Sequence, residues 1–180
     1  GSPIINFISE YIVRMDPHSS EGGVYNGGVA ERNDEVGFNS PGKLIIVNSR
    51  LNDVAMTVLP NALIDASTGL PTPTIAVATE NGISIIKDDG TTVVDMRPTG
   101  SSVPQAKEIY FTKSNKIAFT HGSNWVYYYQ IPSSDITATY WNGLAGYIGR
   151  FTDTQRDYNS STPGIPIEVA AKWYYKFLRR

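Results

Sequence analysis

Residues 74–87 read TIAVATENGISIIK, and moving forward by 42 positions lands on residues 116–129, KIAFTHGSNWVYYY. In that register Ile75 falls on Ile117, Ala76 on Ala118, Val77 on Phe119, Ile83 on Trp125, Ile85 on Tyr127 and Ile86 on Tyr128. Small and large apolar residues keep their places, and a polar turn divides both runs at the same point. Self-similarity at a period of about 40 residues, carried by β-branched and aromatic segments, is the mark of a β-propeller blade. The expected fold class is therefore all-β: antiparallel propeller-like blades, two of them clear, within a repeat region at 43–141.

Turn formers mark the strand ends. Glu80-Asn81-Gly82 and Asp88-Asp89-Gly90 break the first copy, Ser114-Asn115 and Gly122-Ser123-Asn124 the second. Asn-Gly and Asp-Gly between β-branched runs signal hairpins because the central turn residues take positive φ. The first blade is read as strands at 53–59, 74–79, 83–87 and 92–96, with 60–73 a connection holding its own turn, Asp65-Ala66-Ser67-Thr68-Gly69. The second is read at 107–112, 116–121 and 125–132, with 136–141 (ITATYW) as its fourth strand. Upstream, 43–48 (KLIIVN) reads as a buried strand.

Two flanking regions differ in character. In the N-terminal region, 1–42, the run 4–15 (IINFISEYIVRM) suits a strand pair or a short helix, its β-branched residues favouring strand. Residues 16–42 are so rich in Gly, Ser and Asn that they read as a long loop with at most a brief strand around Val24 and Val29. The C-terminal region, 142–180, is expected to be a polar linker followed by an α-helix. There Val169, Trp173 and Phe177 recur every four residues beside Ala170, Tyr174 and Leu178, after Pro166 and ahead of terminal basic residues.

Composition removes several functions. Charged residues are 18% of the 180 and the formal net charge is −2, with no cluster of lysine and arginine. Nucleic acid is thus not an expected partner, since phosphate contacts need concentrated positive charge. The chain has no cysteine, which excludes disulfides, thiolate metal sites and cysteine nucleophiles. Two histidines, His18 and His121, leave little for a metal, the aspartates lack calcium-loop spacing, and the pairs Gly22-Gly23 and Gly27-Gly28 lack the setting of a phosphate loop. No cofactor and no metal is expected. No apolar run approaches the roughly 18 residues of a membrane span, so membrane insertion is not expected either.

One strand concentrates aromatic side chains. Trp125, Tyr127 and Tyr129 alternate with Val126 and Tyr128, His121 precedes them, and Tyr140 and Trp141 follow. Rings of this kind stack on sugar faces while their polar groups bond sugar hydroxyls. Trp125, Tyr127, Tyr129, Tyr140, Trp141 and His121 are accordingly the candidate glycan-binding residues. The competing reading is core, because neighbouring blades bury both faces of a blade. His121 has no carboxylate partner visible in the sequence, and no residue is assigned a catalytic role.

Residues 86–93 (IKDDGTTV) are similar to the Asp-box of sialidases and related propellers, whose pattern is Ser/Thr-x-Asp-x-Gly-x-Thr-Trp/Phe. Asp88, Gly90 and Thr92 match, while Ile86 and Val93 depart from it. The likeness implies a structural turn between the third and fourth strands of a blade and no activity; Arg14, Arg32, Arg50, Arg97, Arg150 and Arg156 are too scattered for a sialidase arginine triad. More broadly, 52–60 (NDVAMTVLP), 73–91 (PTIAVATENGISIIKDDGT) and 115–129 (NKIAFTHGSNWVYYY) resemble the propeller-type repeats of large phage and marine metagenomic proteins associated with virion surfaces, tail fibres and adhesins. The resemblance implies a structural or attachment component of a larger assembly, virion or extracellular in location. Its partners would be other copies of itself, other virion proteins or a cell-surface glycan. A lectin-like glycan-binding module is the alternative, and a glycoside hydrolase the less favoured one. A propeller needs about four blades or more to close. Two clear blades imply degenerate blades at the ends, further sequence beyond these residues, or a ring completed by several chains, as in small fucose-binding lectins. The opening Gly1-Ser2 resembles a tag remnant, and no secretory signal is visible.

Overall fold

In the computed structural model the described residues are 2–6, 11–15, 23–25, 45–100, 105–121, 125–139, 147–151 and 156–157. Among them the chain is all-β, with no helix. Three short strands, β1 (Ser2–Asn6), β2 (Tyr11–Met15) and β3 (Gly23–Tyr25), form an antiparallel sheet in that order. The strand pair expected near the N-terminus is present, and so is the brief strand at Val24.

The repeat region makes two larger sheets. The first contains β4 (Leu51–Thr57), β5 (Thr74–Thr79), β6 (Gly82–Ile86) and β7 (Val93–Pro98), paired antiparallel in sequence order. The second contains β8 (Ala106–Phe111), β9 (Lys116–His121) and β10 (Trp125–Gln130), again in sequence order. Its fourth place is not taken by residues 136–141. Those supply β11 (Ile136–Ala138), which crosses back and pairs in parallel with β7 at the far edge of the first sheet. β12 (Tyr147–Phe151) pairs with β10 instead, and β13 (Arg156–Asp157) with β12. Each sheet thus has five strands. The repeat predicts a strand here as the fourth of the second copy, beside β10; the strand forms but pairs with β7, since Ile136 and Ala138 pack on the core between the sheets.

Three further expectations change. Residues 45–50 are not a strand, although Ile46 is buried against Ile75, Val77 and Ile86. The β5–β6 turn is centred on Glu80 and Asn81, neither of which has positive φ. Gly82 follows it because a Cβ there would stand 2.5 Å from the Met96 carbonyl oxygen. Third, the 42-residue match slips by one residue after the turn. Pairing runs Val77↔Ser84 in the first sheet and Phe119↔Tyr127 in the second, so Ser84 corresponds to Tyr127, and Ile85 to Tyr128. The second copy has three residues between β9 and β10 where the first has two between β5 and β6. A one-residue shift reverses which face a strand residue occupies. The expected C-terminal helix, most of the long loop at 16–42, Tyr140 and Trp141 lie outside the described residues.

Register now aligns the two sheets across three strands. On one face, here called the rear, the first sheet carries the rows Val54–Val77–Ser84 and Met56–Ile75–Ile86, and the second carries Ile109–Phe119–Tyr127 and Phe111–Ile117–Tyr129. On the forward face Ala55–Ala76–Ile85 corresponds to Tyr110–Ala118–Tyr128. The core joins unlike faces. Ala76, Ala78, Ile83, Ile85 and Met96 from the forward face of the first sheet pack with Ile109, Ile117, Phe119, Tyr127 and Tyr129 from the rear face of the second. Small residues on one side admit large rings on the other, the complementarity that dense packing requires. The innermost strands are stitched as well: Asn52 Nδ2 donates to the Ala106 carbonyl at 2.7 Å, and the Ile109 N–H donates to Asp53 Oδ2 at 2.9 Å. The sheets therefore stack the same way round, front to back.

Candidate functional site

The aromatic residues singled out from sequence separate into distinct places. Tyr127 and Tyr129 are each 5% exposed and belong to the core between the sheets. Phe119 stands between them, its ring centroid 5.3 Å from Tyr127 and 5.8 Å from Tyr129, and His121 continues the stack 5.4 Å from Tyr127. Four rings in a column bury a large apolar area and fix one another's orientation. Burial, with a smaller contribution from the neighbouring Tyr127, pushes the Tyr129 hydroxyl well above its ordinary value of 10.0. Burial also holds His121 below its ordinary 6.5, against a backbone hydrogen bond that acts the other way. This column offers little surface for a sugar to stack on. Trp125 pairs with His121 and Arg150 in the ladder. The structure thus brings Tyr127, Tyr129 and His121 together, the two tyrosines in the core and His121 half-buried at the end of the column; Tyr140 and Trp141 lie outside the described residues.

The turn likened to an Asp-box lies between β6 and β7, as expected, but its carboxylates divide the work differently. Asp89, not Asp88, accepts hydrogen bonds from the N–H and hydroxyl of both Thr91 and Thr92, at 2.5–3.3 Å. Burial alone would raise the Asp89 carboxyl, yet these four bonds outweigh it and hold the group below its ordinary 3.8. Gly90 takes the left-handed conformation, φ 71°, that completes the turn. Asp88 instead accepts the Leu63 N–H at 2.8 Å, pinning the long connection after β4. Both carboxylates are engaged in holding loops.

A buried polar chain crosses the rear face of the first sheet. The Val47 N–H donates to Ser84 Oγ at 2.8 Å, and the Ser84 hydroxyl donates to Asp95 Oδ1 at 2.6 Å. Asp95 Oδ2 pairs with the Arg97 guanidinium, and Asp135 Oδ1 accepts the Asp95 N–H at 2.9 Å. Every link is partnered, which is what allows Ser84 and Asp95 to be buried. This chain holds residues 45–50 down over β5 and β6, with Ile46 beneath it.

β4 is left uncovered beside it. Val54 is 45% exposed and Met56 65%, on the same face as Ile75 and Val77. Among the described residues, every exposed large apolar side chain lies between Ile45 and Leu70: Ile45, Val54, Met56, Val58, Leu63, Ile64 and Leu70. The described side chains of the second sheet contribute none. Its corresponding residues, Ile109 and Phe111, pack against the first sheet. On the forward face of the second sheet, half-buried Tyr110 and Tyr128 close over Ala118. Lys116 Nζ lies 4.7 Å from the centre of the Tyr128 ring, whose hydroxyl is 2.9 Å from Ser114 Oγ.

Sequence reading missed Val54 and Met56 because their counterparts are displaced from the 42-residue period. The connection at residues 58–73 is far longer than that at 112–115. Aligning strand with strand rather than residue with residue would have matched them. Among the described residues no group of three histidine, cysteine or acidic side chains is placed to hold a metal, and no helix is long and apolar enough to cross a membrane. No family model, no curated protein and no solved structure matches this chain.

Proposed function

We propose that the chain is a structural or attachment component of a larger assembly, built of propeller-type blades and working through protein–protein contacts. The observation that carries this reading is the front-to-back stacking of two equivalent sheets, with the rear strip of the first left apolar and open. Stacking unlike faces repeats without a natural end. Such a heterologous contact gives a ring where the rotation closes and a filament where it does not. An apolar strip on a soluble surface marks a place where another surface belongs. The likeness of residues 52–60, 73–91 and 115–129 to the repeats of virion-surface proteins gives this component its setting: a virion or the extracellular space.

Burial of Tyr127 and Tyr129 weighs against the glycan-binding alternative, because a ring 5% exposed offers a sugar almost no face. Light scattering after size exclusion, over a range of concentrations, tests the assembly reading. A mass that is a multiple of the 19.7-kDa chain supports it. A monomer throughout whose tryptophan fluorescence responds to a panel of monosaccharides and short glycans would replace it with the glycan-binding one.

A further inference from the structure

Residues 131–139 leave the second sheet at the end of β10 and cross to the first, and the chain then returns to the second as β12. On the way Lys87 Nζ donates to the Pro132 carbonyl at 2.5 Å, and the Asp95 N–H donates to Asp135 Oδ1 at 2.9 Å. β11 then pairs in parallel with β7 through Ile136↔Met96, Thr137↔Arg97 and Ala138↔Pro98. Past that ladder the Thr99 N–H donates to the Ala138 carbonyl at 2.8 Å and the Gly100 N–H to the Thr139 carbonyl at 2.9 Å. Ile131, Ile136 and Ala138 are partly buried against the core between the sheets, while Ser133, Ser134, Asp135, Thr137 and Thr139 are exposed. The strands of the first sheet proper are joined by longer antiparallel ladders. A short parallel ladder at an edge is the weaker pairing, and local opening takes such peripheral elements before the middle of a sheet.

We infer that residues 131–139 are a strap that leaves and re-enters its seat as a unit, and that the seat, the outer edge of β7, accepts an extended peptide segment of the same pattern from another chain. The pattern is read from the contacts. An acidic residue, Asp135, supplies the acceptor for a ladder N–H just ahead of the strand. Ile136 follows on the core, Thr137 faces outward, and Ala138 returns to the core where a small side chain fits. Backbone pairing gives such a segment its affinity, and the alternating side chains give it specificity. A bare sheet edge is a template for any extended chain, so the strap also shields β7 while it is seated. Tethered on both sides, it competes at an effective concentration on the order of millimolar, and an outside segment gains the edge only when the strap is weakened.

Amide hydrogen exchange of the full chain, read residue by residue by NMR, tests both halves. In the wild type the Asp95, Thr99 and Gly100 amides should exchange together, about ten-fold or more faster than those of β6 in the middle of the same sheet. Two variants loosen the strap from different ends: Asp135→Ala removes the acceptor for Asp95, and Lys87→Met removes the tie to Pro132 while keeping an apolar stem. Circular dichroism first establishes that each folds like the wild type. Lys87→Met touches none of the three amides, yet it should speed all of them alike and leave β6 unchanged. Exchange of all three at the β6 rate, or a variant that speeds only the amide nearest to it, would overturn the strap as a unit. A synthetic peptide of residues 131–139 is then added to Asp135→Ala at about millimolar concentration. It should slow exchange at Thr99 and Gly100 toward the wild-type rate, and the same peptide carrying Asp135→Ala should not. No slowing by the first peptide, or equal slowing by both, would overturn the assignment of the β7 edge.

Discussion

Val54 and Ile109 hold the same place in two sheets of the same construction, yet one faces solvent and the other lies under a neighbouring sheet. The difference comes from position in the stack. The second sheet packs its rear face on the first, whereas part of the first sheet's rear face is exposed at Val54 and Met56. The side chains behind each residue follow suit. Behind Ile109 stand Phe119 and Tyr127, large rings that fill the space left by Ala76 and Ala78 opposite. Behind Val54 stand Val77 and Ser84, the latter tied into hydrogen bonds that hold residues 45–50 as a thin cover. Equivalent strands can thus be finished in two ways: with bulky apolar residues against a neighbouring sheet, or with a polar latch beside an exposed apolar strip.

The strongest way to break the comparison is to hollow out its covered side. Phe119→Ala should cost about 3–5 kcal/mol and Ile109→Ala about 2–5 kcal/mol, whereas Val54→Ala in dilute monomer should stay within about 0.5 kcal/mol. Urea unfolding of the three variants measures this directly. Similar costs for Ile109→Ala and Val54→Ala would mean that the two positions are not differently covered.

Two variants sharpen the account of the first sheet. Gly82→Ala places a Cβ against the Met96 carbonyl oxygen and the Val47 side chain, and a loss of about 1–3 kcal/mol is expected, seen as a lower thermal midpoint. Ser84→Ala removes the hydroxyl joining the Val47 N–H to Asp95 and takes that partner from the partly buried N–H and from the buried Asp95 Oδ1, at about 1–3 kcal/mol. Hydrogen exchange should then quicken at Val47 before it does at β9. Unchanged exchange at Val47 would show that the latch does not hold the cover.

The smallest effect is one of pH. His121 occupies the place that Thr79 holds in the first sheet, so only the second sheet titrates there. Its folded value lies below 6.5, so the unfolded chain takes up the proton first as the pH falls. The stability owed to the neutral ring is complete above 6.5 and declines as the pH drops through the window beneath it. Replacing it, as His121→Asn, should flatten that part of the stability profile between about pH 7 and pH 5, measured as urea midpoints. An unchanged slope would place the titration elsewhere.

Much of this architecture is legible in the residues. β-branched runs broken by Asp89-Gly90 and Ser114-Asn115 mark the strands because both turns demand left-handed residues, Gly90 and Asn115, which few others supply. Alternation along Trp125–Gln130 correctly separates Tyr127 and Tyr129 from Tyr128. What alternation lacks is a sign saying which face meets a neighbour, and the extra residue before Trp125 reverses the correspondence with Ile83 and Ile85. The partner of β11 is equally hidden, since three residues pair with whichever edge their flanks bring them to. Val54 and Met56 escape notice for a related reason: an exposed apolar strand position and a buried one read identically until the covering sheet is known.

The most direct test is the mass of the wild-type chain in solution beside that of Met56→Asp, each followed by light scattering from dilute to concentrated solution. Met56 is exposed, so a charge there leaves the monomer's fold intact and acts only on whatever covers the strip. The expected result is a wild type that rises to two to four times 19.7 kDa and a variant that stays at 19.7 kDa. A wild type and variant of equal mass at every concentration would contradict it.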